Sequence, residues 1–139
     1  MVYENTYFKL VHCRDCFIAG YLILLPKQEV TSIAELSEPA QQQLGPTLAI
    51  AQRVLQTVIN PQKIYSLSFN EKVSSLHFHI FPRTQELLAE YLAVNALQAD
   101  SVDGPLLVTW AREVYQTRKQ VHYLELIEQI NKEFAKITH

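Results

Sequence analysis

Residues 75–83 read Ser-Leu-His-Phe-His-Ile-Phe-Pro-Arg, and the reading of this stretch decides the fold. Side chains alternate across an extended strand. Ser75, His77, His79 and Phe81 therefore face one way and Leu76, Phe78 and Ile80 the other. The second set reads as a core face. The first set lines up a hydroxyl and two imidazoles, with neighbours about 6–7 Å apart from the strand rise. Such a row can converge on one small anion.

Three readings of the paired imidazoles stand side by side. They can be half-buried structural residues with hydrogen-bonded nitrogens. They can supply two of the three or four ligands of a zinc site, completed by His12 or a distant carboxylate. Or a neutral imidazole can attack phosphorus to form a phosphoramidate that water cleaves, given a neighbour that sets its tautomer and donors for the phosphate oxygens.

Outward from this stretch, residues 73–82 predict a strand and residues 63–69 another, joined as a hairpin by the polar turn Asn70-Glu71-Lys72. Residues 6–12 are aromatic and β-branched and predict a strand. Residues 20–26 predict a near-continuously apolar one, entered at Gly20, stopped at Pro26 and covered on both faces. Ser37-Glu38-Pro39 opens a helix, with Leu44, Leu48, Ala51, Leu55 and Val58 as its stripe; Pro46 is expected to kink or restart it. After Thr84 the pattern turns helical. Asp103-Gly104-Pro105 opens a helix with Leu106, Leu107, Trp110 and Val114 on one side. Residues 119–137 carry the stripe Leu124, Ile127, Ile130, Phe134 and Ile137. Strands first and helices last is an α+β pattern: an antiparallel sheet packed with helices.

A chain of 139 residues holds one core. Its net charge of −2 argues against a nucleic-acid binder, which carries a basic face, yet leaves room for a local phosphate pocket. No apolar run is long enough to span a bilayer, no secretory signal is visible, and two cysteines are too few for a disulfide framework. A soluble cytoplasmic protein, with no membrane partner, is the expectation. Cys13-Arg-Asp-Cys16 has the spacing of half a zinc site or a redox pair, but no second pair accompanies it.

The run Gly20-Tyr-Leu-Ile-Leu-Leu-Pro-Lys27, a helix, and a strand pair ending in Leu76-His-Phe-His-Ile-Phe-Pro-Arg83 together resemble the histidine-triad (HIT) superfamily of nucleotide hydrolases and transferases. Its signature is His-φ-His-φ-His-φ-φ, often followed by Pro-Arg, with φ apolar. The resemblance covers residues 6–84, implying a HIT-like core over 1–84 and a helical C-terminal extension of the same domain over 85–139. Aligning Pro82-Arg83 puts His77 on the middle histidine, His79 on the third and Ser75 on the first. The resemblance then implies that His77 is the nucleophile toward an α-phosphate and that His79 orders the site and binds the phosphate. Its substrates would be nucleotides such as dinucleoside polyphosphates or nucleoside phosphoramidates. No cofactor or metal is needed for that chemistry, and family members are often homodimers.

Three departures accompany the resemblance. Ser75 can donate and accept hydrogen bonds to a phosphate oxygen but carries no charge. Losing one charge-assisted contact costs about 1.5–3 kcal/mol, on the order of ten- to a hundredfold in rate. Weakened turnover is the expectation, with a nucleotide-binding protein lacking turnover as the alternative. The family's small polar run ahead of the histidines is replaced by Glu71 and Lys72. Lys72 is a candidate phosphate contact and Asn70 a candidate nucleotide contact, against the plain reading of a solvated turn. Asp15 is a candidate for the family's ribose-binding acid, slightly out of register, against the reading of a turn residue. His12, His122 and His139 read as incidental.

Overall fold

The computed structural model describes residues 1–137; His139 lies outside the described residues. Five strands form one antiparallel sheet: β1 (Tyr3–Glu4), β2 (Phe8–His12), β3 (Leu22–Pro26), β4 (Lys63–Leu67) and β5 (Phe78–Arg83). Their order is β1-β2-β3-β5-β4, so the apolar strand β3 is central and β5 is paired on both edges. The α-helices among the described residues are α1 (Glu38–Val58), α2 (Gln85–Val94), α3 (Gly104–Val114) and α4 (Tyr123–Ala135).

The register sorts the sheet into two faces. Leu10 opposes Leu24, Leu24 opposes Phe78, and Leu22 opposes Ile80, so these side chains share one face. They enter a core with Ala51, Val54 and Leu55 of α1 and Ile130 and Phe134 of α4. On the other face Ile23 opposes His79, and Phe81 opposes Tyr65. Phe81 enters a second core with Tyr21, Leu87 and Tyr91, and with Leu107, Val108 and Ala111 of α3. The C-terminal helices thus share both cores with the sheet. Among the described residues no helix is long and apolar enough to cross a membrane.

Several boundaries differ from the expectations. The strand predicted over 73–82 starts at Phe78. The backbone of His77 is instead occupied by a loop: its N–H donates to the Asn70 side-chain oxygen at 3.0 Å and its carbonyl accepts from the Ser68 hydroxyl at 2.8 Å. Pro46 does not interrupt α1. The residue before a proline is normally driven out of helical conformation by a clash involving its Cβ, and here that residue is Gly45, which has none. The predicted 119–137 helix starts at Tyr123, because His122 sits at φ 61°, outside the helical region. In α3 the buried stripe is Leu107, Val108 and Ala111, while Leu106 stays 60% exposed.

Two positions test this packing. Gly20 has φ +83°, and a Cβ there would lie 2.4 Å from Cδ1 of Ile59 and 2.8 Å from Cδ2 of Leu55. Strain and overpacking together should make Gly20→Ala destabilising by about 2–4 kcal/mol. Ile130→Ala should cost about 2–5 kcal/mol through the cavity it leaves. Urea denaturation reads both; an unchanged midpoint for Ile130→Ala would mean that α4 is not part of the cooperative core.

Candidate active site

His77 immediately precedes β5 and His79 lies within it. Their ring centroids are 5.1 Å apart, with the planes inclined at 58°. Both line a cavity of about 350 Å³. Its sheet wall is the cross-strand row Val11, Ile23 and His79, and His12 and the Cys13–Asp15 loop also line it.

The two rings are held differently. Nδ1 of His77 lies 2.8 Å from the carbonyl oxygen of Ser75. A carbonyl only accepts, so Nδ1 carries the proton, and neutral His77 keeps its lone pair on Nε2. Nδ1 of His79 lies 2.7 Å from the hydroxyl of Tyr21, which is wholly buried. That hydroxyl accepts from Nη1 of Arg112 at 2.5 Å, and Nη2 of Arg112 donates to Asp15 at 3.3 Å. Burial, then the charge of Arg112, then that of His77, pull the His79 imidazole down to about 4, so it is neutral near pH 7. Burial raises the Tyr21 phenol above its ordinary range, keeping it protonated.

The candidates read from the sequence are placed as follows. His77 and His79 are brought together. Ser75 contributes its backbone carbonyl to His77, whereas its hydroxyl lies 3.5 Å from the Glu29 carboxylate. Asn70, at φ 57°, uses its side chain on the backbone of His77 and on Ser68. Lys72 is exposed and lines a neighbouring cavity of about 520 Å³ together with Arg112, Thr109 and Gln116. Asp15 lines both cavities and pairs with Arg112.

His12, read as incidental, closes the loop between β2 and β3. Its Nε2 accepts from the Gly20 N–H at 3.0 Å, so its proton is on Nδ1, 3.2 Å from the Cys13 carbonyl. Burial holds its pKa below the usual histidine value. Cys13 and Cys16 are free and buried. The hydrogen bond from the Cys16 thiol lowers Cys13 to about 7, and the same contact pushes Cys16 up. Among the described residues, no group of three or more His, Cys, Asp and Glu side chains is placed to hold a metal ion.

Sequence reasoning missed Tyr21 and Arg112. Tyr21 had a signal of a kind, a polar-tipped residue between Gly20 and an apolar strand. Arg112 had none, since it lies 91 residues from the tyrosine it contacts.

Comparison with known proteins follows the same lines. No curated protein sequence matches the chain. A histidine triad protein from Bradyrhizobium japonicum superposes with a TM-score of 0.66 at 18% identity, over 96% of this chain and 88% of that one. A hypothetical histidine triad nucleotide-binding protein from Sulfolobus tokodaii gives 0.62 at 14% identity, over 97% and 83%. A Hit-like protein from Bartonella henselae, described as involved in cell-cycle regulation, gives 0.59 at 17% identity, over 98% and 84%. These likenesses establish a shared fold. The HIT domain family model matches residues 1–86, the stretch that holds the sheet, His77 and His79, and the chain belongs to that family.

Proposed function

We propose that the protein is a nucleotide-phosphate hydrolase or nucleotidyl transferase working through a nucleotidyl-histidine on His77. The observation that carries this is the 2.8 Å contact of His77 Nδ1 with the Ser75 carbonyl, which leaves the Nε2 lone pair as the nucleophile beside the cavity. In the proposed step Nε2 attacks the α-phosphorus and the bond to the leaving group breaks. The leaving group takes a proton from solvent. Water then cleaves the phosphorus–nitrogen bond, releasing a nucleoside monophosphate and restoring neutral imidazole. Neutral His79 donates to a nonbridging phosphate oxygen. Substrates are of the dinucleoside polyphosphate or nucleoside phosphoramidate class.

A second reading, nucleotide binding without turnover, is favoured by one observation. The first triad place is a serine, and its hydroxyl is directed to Glu29. The reading extends to a cytoplasmic homodimer. It is supported by the two unpaired thiols, which suit a reducing compartment, and by the exposed apolar residues Val121 and Leu124.

Turnover of diadenosine polyphosphate or an adenylate phosphoramidate, followed by chromatography with and without chelator, tests the first reading. His77→Ala should lower kcat by at least about a hundredfold, and Ser75→Ala should change it by less than about threefold, because the alanine keeps the carbonyl. Tight nucleotide binding without turnover in the wild type overturns this reading in favour of the second; loss of turnover on chelation overturns the metal-free step.

The low His79 value also bears on stability. The unfolded imidazole titrates near its ordinary value of about 6.5, so between that pH and about 4 the unfolded chain binds the extra proton. Stability is therefore full above about pH 6.5 and should fall as the pH drops toward 4. His12 contributes with the same sign. Urea midpoints across this range should decline for the wild type and decline less steeply for His79→Asn.

A further inference from the structure

The helices after residue 86 lie beyond the matched family domain, yet one of them reaches the histidines. Helix α3 is capped by Asp103, whose carboxylate accepts from the Leu106 N–H at 3.2 Å, and is anchored by Leu107, Val108 and Ala111 in the second core. Arg112 follows directly. Its side chain is 31% exposed, and its two terminal nitrogens are divided between Tyr21 and Asp15.

Proton counting gives this contact a direction. A guanidinium only donates, so the Tyr21 oxygen accepts from Arg112. The hydroxyl has one proton to give, and His79 Nδ1, 2.7 Å away, is the only acceptor it meets among the described residues. If Nδ1 carried a proton instead, the tyrosine oxygen would accept twice and its own buried proton would be orphaned, a costly arrangement. The chain of donation therefore runs from Arg112 to Tyr21 to His79. Neutral His79 then carries its proton on Nε2, the form that can donate to a phosphate oxygen. Arg112, His77 and Asp15 act on His79 through their charges, the protonated Tyr21 phenol lies against its ring, and His12, Cys13 and Arg14 line the same cavity. The Arg112 charge disfavours an imidazolium at His79 and so acts in the same sense as the hydrogen bonds.

We infer that Arg112 is a positioning residue for the histidine pair: through the Tyr21 hydroxyl it sets His79 as the Nε2–H donor, making the C-terminal helices part of the site. Donation to phosphate rests on the proposed nucleotide chemistry; the tautomer and its dependence on Arg112 do not. The competing account is that Arg112 merely neutralises Asp15, an exposed ion pair of small worth.

The experiment separates them. Imidazole nitrogen NMR of the free wild-type protein at pH 7 should show His79 with an unprotonated Nδ1 and a protonated Nε2. Arg112→Met, which keeps the bulk of the stem, should give mixed tautomers and a raised His79 titration midpoint; Tyr21→Phe should also disturb the tautomer. Arg112→Lys should restore both features at least in part. Circular dichroism and the urea midpoint show that each variant is folded. With substrate, Arg112→Met should lower kcat about tenfold with KM within about twofold. Unchanged His79 signals and midpoint in folded Arg112→Met, or a wild-type His79 protonated on Nδ1, overturn the inference. If the wild type turns over no nucleotide while Arg112→Met still moves the His79 signals, the functional reading fails and the positioning role stands.

Discussion

Strand β5 is hydrogen-bonded along both edges, to β3 and to β4, and its register is therefore locked. A slip of one residue would turn Phe78 and Ile80 out of the first core and His79 and Phe81 into it. Burying an imidazole among leucines while exposing a phenylalanine is costly on both counts. The apolar alternate residues of this strand thus hold the polar ones in place. The placement of His79 in the cavity wall is a consequence of core packing as much as of anything local to the site.

The approach to β5 obeys a different constraint. From Ser68 to His77 the chain is held outside the ladder, by side-chain to backbone bonds from Ser68 and Asn70 and by the Leu76 N–H donating to the Val30 carbonyl. Asn70 can take its left-handed turn at little cost, since its short polar side chain tolerates that region. The outcome is that the carbonyl of Ser75 meets the ring of His77. A serine at this place supplies the same carbonyl as any other residue would. Its own hydroxyl is directed to Glu29. The support of the His77 ring therefore comes from the backbone and does not depend on which side chain stands at position 75.

Tyr21 joins the two parts of the molecule. Its ring lies edge-on to Phe81 in the second core, and its hydroxyl meets Arg112 and His79. A buried hydroxyl needs partners, and this one finds them on a strand and on a helix far apart in the chain. The same burial and positive charge that satisfy the phenol keep His79 neutral, so the electrostatics of the site are partly a product of the C-terminal helices.

Alternation of apolar residues from Leu76 to Ile80, the Gly20–Pro26 run and the capped helix at Ser37 were enough to read the α+β class and the pairing of His77 with His79, because period and capping are local properties. The helical tail was legible for the same reason. The start of β5 was not, since competing bonds from Ser68 and Asn70 decide it. Nor was the direction of the Ser75 hydroxyl, which depends on a glutamate 46 residues away. Arg112 carried no sign in the sequence of its contact with Tyr21, since only the packing of α3 against the sheet brings the two together. Local sequence determined which side chains share a face of a strand or helix. The tertiary structure decided which distant groups satisfy a buried polar atom, because that choice depends on how separate elements pack.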